Sequence, residues 1–335
     1  MSESSNILQD TFGRNHNYLR ISLTEKCNLR CTYCMPINGV PLSPKSNLMT
    51  AQEVYEIAKV FVKNGVDKIR LTGGEPLLRK DFPAIIQMLS TLNVQMSITS
   101  NAVLIDRHIS DLKKYGVNDI NISLDTLATD KFMHIAKRDQ FKKVYQNLLL
   151  LIHEGFRVKV NVVLIKGFNE DEITDFIKLT KELPISVRFI EFMPFDGNKW
   201  EKEKMISYEE VMRYVYNEFE EKDVERLVDA KNDTTKNYKI KSYKGSFGII
   251  SSVTNPFCDS CNRIRLTANG NLKNCLFSNT ETNLLAQFRE GKSIEPIIQK
   301  VIMKKHKMRG GMDSMQKLEN PDLHQQNRSM ITIGG

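Results

Sequence analysis

The stretch from Tyr18 to Cys34, YLRISLTEKCNLRCTYC, runs an alternating strand pattern into three cysteines spaced C-x3-C-x2-C. In a strand successive side chains face opposite sides. Leu19, Ile21 and Leu23 therefore share one face, and Arg20, Ser22 and Thr24 the other. Cys27, Cys31 and Cys34 follow the strand's carboxyl end, the rim at which α/β barrels place their chemistry.

Outward from this stretch the alternation recurs in KIRLT from Lys68, VQMSITSN from Val94, NDINISLD from Asn118, RVKVNVVLI from Arg157 and VRFIEFM from Val187. Helical patterns separate these runs. Thr50 to Glu53 and Ser207 to Glu210 fit capping boxes, and Asp81 precedes Pro83 near another helix's first turn. Repeated strand-helix units predict a parallel sheet. Its polar face carries Arg20, Lys68, Arg70, Thr99, Asn121, Ser123, Asp125, Lys159 and Asn161. Parallel sheets are normally covered on both faces, and a closed eight-stranded barrel fills its interior with Val, Ile and Leu. Six strands with a polar inner face therefore predict an incomplete (β/α)6 TIM-like barrel around polar ligands, against the alternative of an open sheet with one solvated face.

After Met193 the rhythm stops. Residues 11–225 are expected to form the barrel core, and 226–335 a smaller α+β domain that closes it. Within the latter, RIRLTANGNLKNCL from Arg263 reads as a hairpin with a two-residue Asn269-Gly270 turn. That register sets Cys275 opposite Ile264, away from Arg263 and Arg265, so either the Cys258 loop wraps the edge or the turn is longer.

The 335 residues, 41% hydrophobic and 26% charged, have the composition of a globular protein. MSESSNILQD at the start lacks a basic n-region and an apolar run, and no stretch nears the ~20 apolar residues of a membrane span. A cytoplasmic protein is expected, with no membrane association. Lys and Arg number 48 against 40 Asp and Glu, a formal charge of +8 that favours an anionic partner without choosing one. The basic run KKHKMR, Lys304 to Arg309, reads as a solvated helix end, and the scarcity of interleaved aromatic and basic residues argues against nucleic acid.

The six cysteines form two sets, the second being Cys258, Cys261 and Cys275 as C-x2-C-x13-C. Clustering of this kind in an intracellular chain favours metal over disulfides. His16 and His306 are the sequence neighbours, and neither stands at zinc-finger spacing. Three thiolates on a cubane cluster leave one iron open to a ligand. Zinc with a ligand distant in sequence is the competing reading of each set. Thr72 to Pro76, TGGEP, follows the second strand and brings the Glu75 carboxylate to the same rim as the first set.

The pairing of C-x3-C-x-aromatic-C, with Tyr33 as the aromatic, and GGEP closely resembles the radical S-adenosylmethionine (SAM) signature. CDSCNRIRLTANGNLKNC, with the terminal Gly334-Gly335, is similar to the GTP 3′,8-cyclase family of molybdenum cofactor biosynthesis. The resemblance implies two 4Fe-4S clusters, one on Cys27, Cys31 and Cys34 that binds SAM, and one on Cys258, Cys261 and Cys275 that binds substrate. It implies SAM contacts from Tyr33, Gly74, Glu75, Pro76, Ser123 and Met193, and GTP contacts from Arg20, Arg70, Thr99, Lys159, Arg263 and Arg265. Lys68, Arg188, Gly334 and Gly335 are further candidates, the last two as a tail that threads into a pocket. The implied reaction turns GTP and SAM into 3′,8-cyclo-7,8-dihydro-GTP, 5′-deoxyadenosine and methionine. Implied partners are an electron donor such as flavodoxin or ferredoxin and a downstream pyranopterin synthase, with a homodimer left open. The alternatives are another two-cluster radical SAM enzyme acting on a peptide or nucleic acid, and a zinc-stabilised nucleic-acid-binding module.

Overall fold

The computed structural model describes residues 6–36, 38–324 and 327–334. The six expected strands are present as β1 (Tyr18–Ser22), β2 (Lys68–Thr72), β3 (Gln95–Ser100), β4 (Asp119–Ser123), β5 (Arg157–Leu164) and β6 (Ser186–Glu191). They pair in parallel, each with the next in sequence. Six more strands follow: β7 (Val224–Arg226), β8 (Lys236–Ile240), β9 (Ser246–Ile250), β10 (Arg263–Leu266), β11 (Asn271–Lys273) and β12 (Thr282–Asn283).

One sheet holds all twelve, in the order β12-β11-β10-β1-β2-β3-β4-β5-β6-β9-β8-β7. The count of six parallel strands is thereby corrected. β9 adds in parallel to β6 and β10 in parallel to β1, so the parallel part has eight strands. These two escape a βα reading because β9 enters from an antiparallel pairing with β8 rather than from a crossover helix. The C-terminal segment therefore extends both edges of the sheet. Among the described residues no pairing joins β12 to β7.

The outward face is the apolar half of the alternation. Leu19, Ile69, Ile120, Val160, Val187 and Phe247 are each fully buried, and neighbours in the strand register sit side by side. Burial of such a side chain stabilises by roughly 1.5–3 kcal/mol. Helices Ala51–Lys63 and Phe82–Ser90 contribute Ile57, Phe61, Phe82 and Ile86 to the same core. Both expected capping boxes form: Thr50 Oγ1 accepts from Glu53 N at 3.2 Å and Ser207 Oγ from Glu210 N at 3.2 Å. Asp81 does not cap. It pairs with Arg79 at 2.7 Å, whose guanidinium also donates to Leu23 O at 2.9 Å and Met49 O at 2.8 Å and so pins the loop after β1.

The β10–β11 hairpin resolves the register. Arg265 pairs with Lys273 and Leu266 with Leu272. Thr267 N donates to Asn271 O at 2.9 Å, leaving Ala268, Asn269 and Gly270 in the loop, with Gly270 at φ +72°. The turn is one residue longer than the two-residue form, and a one-residue slip reverses the face of every following side chain. Cys275 is thereby carried to the side of Arg263 and Arg265.

Candidate functional site

The two cysteine sets lie at opposite rims. The first follows the carboxyl end of β1; the second flanks the amino end of β10, which runs parallel to β1 with Tyr18 beside Arg263. A five-residue strand separates the rims by roughly 17 Å. All six sulfur-bearing residues nevertheless line one cavity of about 290 Å³. All six are free of disulfides. Among the described residues no three Cys, His, Asp or Glu side chains converge closely enough to hold a single metal ion.

At the first rim the GGEP loop is zipped to the cysteine loop. Gly74 N donates to Thr24 O at 2.8 Å and Glu75 N to Lys26 O at 2.8 Å. A Cβ on Gly74 would stand 2.4 Å from Lys26 O, so this approach admits only glycine. Glu75 is fully buried and does not face the cavity. Its carboxylate accepts from Asn101 N at 2.7 Å, Ser100 Oγ at 2.9 Å and Leu77 N at 3.1 Å, which makes it a brace behind the loop. Burial pushes its pKa up to about 7 against these three donors. Pro76 starts the short helix Pro76–Leu78 and is likewise buried. Gly74, Tyr33, Ser123 and Met193 do line the cavity. Tyr33 Oη donates to Asp125 Oδ2 at 2.9 Å, and Asn101 Nδ2 donates to Cys27 Sγ at 3.7 Å. Burial raises the pKa of all three thiols here, with Cys34 pushed up to about 12.

Between the rims stand cations. Arg20, Arg188, Arg263 and Arg265 line the cavity with Thr99. Arg70 donates to Thr99 Oγ1 at 3.3 Å and to Tyr18 Oη, and thus reaches the cavity through its neighbours. Lys68 lies over the Tyr18 ring. Burial lowers Arg20 to about 10 despite Tyr18, with Arg70 and Arg263 lowering it further; Arg265 is pushed well down by burial and then by Arg20 and Arg263. Lys159 is brought to about 8 by burial and then by Arg188. Like charges so crowded imply an anion to offset them. Arg20 Nε, Arg188 Nε, Asn121 Oδ1, Asn161 Oδ1 and Asn274 Oδ1 are buried without a hydrogen-bond partner among the described residues, and all five residues line the cavity. Buried polar atoms left unpaired carry a desolvation cost, which a ligand or water bound in the cavity removes.

Gly334 sits beside β1 and β2, its carbonyl accepting from Arg265 at 2.8 Å, and Met330 just before it lines the cavity. Gly335 lies outside the described residues. The KKHKMR run follows a helix end and exposes Lys304, His306 and Lys307, but it is only partly solvated. Lys305 and Arg309 are buried, at 4% and 7% exposure, and Arg309 lines the cavity. Arg309 N donates to Cys258 Sγ at 3.4 Å and Lys305 Nζ to Cys261 Sγ at 3.5 Å. Sequence reasoning missed both, since nothing local ties residues 305–309 to residues 258–261. Asp125 and Asn121 were on the polar face and so were legible as lining, without a role.

Residues 21–180 match the Radical SAM superfamily model, and residues 185–310 the Molybdenum Cofactor Synthesis C model. Over 337 residues the chain is 44% identical to the mitochondrial GTP 3′,8-cyclase of Arabidopsis thaliana, covering 99% of this chain and 84% of that one. The chain belongs to the GTP 3′,8-cyclase family. The Listeria welshimeri GTP 3′,8-cyclase is 41% identical over 88% of this chain and 90% of its own length. Human molybdenum cofactor biosynthesis protein 1 is 46% identical over 94% of this chain but only 50% of its length, so the chain spans about half of that longer relative. In fold, this cyclase-family chain matches Streptococcus suis SuiB bound to S-adenosylmethionine, with a TM-score of 0.59 at 17% identity over 81% of this chain and 65% of that one. No helix among the described residues is long and apolar enough to cross a membrane.

Proposed function

We propose that this chain is a GTP 3′,8-cyclase that uses SAM and two 4Fe-4S clusters in the first step of molybdenum cofactor biosynthesis. The observation that carries the reading is one cavity lined at one rim by Cys27, Cys31 and Cys34, at the other by Cys258, Cys261 and Cys275, with Arg20, Arg188, Arg263 and Arg265 between. The donor sets suit iron-sulfur clusters: three thiolates each, with N–H groups aimed at Cys27, Cys258 and Cys261. When bound, the first cluster would supply the electron that splits SAM into methionine and a 5′-deoxyadenosyl radical able to take hydrogen from ribose C3′ of GTP.

The chain's own residues bind, orient and exclude water. Asp125 holds the Tyr33 hydroxyl, and with it the cysteine loop, against β4. Arginine forks suit the oxygens of a triphosphate. Gly334 O fixes one face of Arg265 and leaves the rest of its guanidinium to substrate. The curled sheet is read as the partial barrel, with residues 11–225 as core and the remainder as the cluster-bearing closure. An electron donor of the flavodoxin or ferredoxin kind and a downstream pyranopterin synthase complete the proposal.

Anaerobic reconstitution with iron and sulfide counting, and GTP-dependent release of 5′-deoxyadenosine from SAM, tests it. About eight irons per chain and GTP-stimulated turnover are expected. Zinc in place of iron refutes the cluster reading; SAM cleavage indifferent to GTP refutes the substrate.

A further inference from the structure

A buried polar chain outside the cavity runs to the second cysteine set. Asp10, His16 and Lys305 are exposed by only 5%, 0% and 4%. Lys305 Nζ donates to Cys261 Sγ at 3.5 Å, to Arg263 O at 2.9 Å and to His16 Nδ1 at 3.5 Å. Because Nδ1 accepts, the ring proton sits on Nε2, which donates to Asp10 Oδ2 at 3.1 Å. Burial, then Lys305, pushes the His16 pKa down to about 3, so the imidazole is a neutral acceptor.

The same segment straps the loop. Asp10 Oδ2 pairs with Arg14 Nε at 2.6 Å, and Arg14 donates to Cys258 O and Lys307 O, each at 2.8 Å, and to His306 O at 2.9 Å. Residues 10–16 thus bind both the loop that carries Cys258 and Cys261 and the segment that carries Lys305. Arg263 also faces Cys261, but its side chain lines the cavity and is available to substrate. Among the described residues Lys305 is not part of the cavity lining, and it meets the second set at the Cys261 sulfur.

We propose that Lys305, held in place by His16 and Asp10, is a positioning residue that sets the electron affinity of the second cluster through a charge-assisted hydrogen bond to Cys261. A fixed cation donating to a ligating thiolate stabilises the form with one more electron, as hydrogen bonds and net charge do at iron-sulfur centres generally. Among the described residues no cation donates a hydrogen bond to a sulfur of the first set, whose donors Asn101 Nδ2 and Leu29 N are neutral; the Arg30 charge reaches Cys27 only through space. The second cluster should therefore accept an electron at the higher potential of the two.

The inference rests on the two-cluster reading, which the iron count of the parent protein tests separately. The experiment is a dithionite titration of the reconstituted full chain, followed by electron paramagnetic resonance, on the parent, Lys305→Gln, Lys305→Arg and His16→Gln. Lys305→Gln, which keeps a donor and loses the charge, is expected to lower the second potential and leave the first unmoved at undiminished iron content. Lys305→Arg should restore it, and His16→Gln should give a smaller shift in the same direction. An unmoved second potential in Lys305→Gln, or an equal shift of both clusters, overturns the proposal. If Lys305→Gln binds iron at one set only, His16→Gln decides, and a second potential equal to the parent's overturns it.

Discussion

Two cysteine triplets with the same number of sulfurs differ in their electrostatic surroundings, and the difference is concentrated at one sulfur. Burial raises the thiols of Cys27, Cys31 and Cys34, and the carboxylates nearby, Glu75 for Cys27 and Asp125 for Cys31 and Cys34, raise them further. At the other rim burial likewise raises Cys258, but Arg263 and Lys305 overcome burial at Cys261 and pull it down to about 5. The difference teaches that an equal sulfur count does not give equal surroundings: the fixed charge around each sulfur depends on which side chains the fold brings to it. A negative surround favours a strongly reducing centre and a positive one favours a centre that takes charge or substrate.

The largest effect expected to test this comparison comes from removing a ligand at either rim. Cys27→Ala should abolish SAM cleavage altogether, whereas Cys261→Ala should abolish cyclised product yet leave slow 5′-deoxyadenosine release, both followed by chromatography. Equal loss of both readouts in the two variants would break the distinction between the rims. Next comes Arg265→Ala, which removes a charged contact of roughly 1.5–3 kcal/mol and should raise the KM for GTP about 10- to 100-fold in steady-state kinetics. Arg265→Lys should recover little of it, because a point charge does not reproduce the guanidinium fork.

A smaller effect is expected at the tail. A Cβ on Gly334 would stand 2.7 Å from Thr72 Oγ1 and 2.8 Å from Ser22 Cβ, on a backbone at φ +89°. Strain of about 1–3 kcal/mol should displace the segment from Arg265 and lower kcat/KM by about tenfold in Gly334→Ala. Unchanged kcat/KM would show that the tail does not buttress the cation group. The mildest effect is a pH dependence. Lys159, depressed to about 8, loses its charge as pH rises through that value, so the free enzyme's kcat/KM for GTP should fall severalfold above pH 8. Lys159→Met should flatten this limb, and an unaltered limb assigns it to another group.

Much of the site was legible because strand alternation and cysteine spacing are local. Arg20, Thr99, Ser123 and the first triplet follow from a period of two and from position at a strand's carboxyl end. Glu75 was legible as a rim carboxylate, but not that it turns inward onto Asn101, Ser100 and Leu77; the direction of a loop side chain depends on which donors lie behind it. β9 and β10 were missed as members of the parallel sheet because short strands without crossover helices carry no βα signature.

The sequence by itself determined the βα core, the apolar and polar faces of its strands, and the two triplets, because each is written in residues a few positions apart. Only the tertiary structure decided that Cys275 shares a side with Arg263, since one extra loop residue sets the register. It alone decided that Lys305 and Arg309, in a run that looks like a solvated helix end, are buried against Cys261 and Cys258. Contacts across forty residues or more are fixed by how the segments pack, and no periodicity records them.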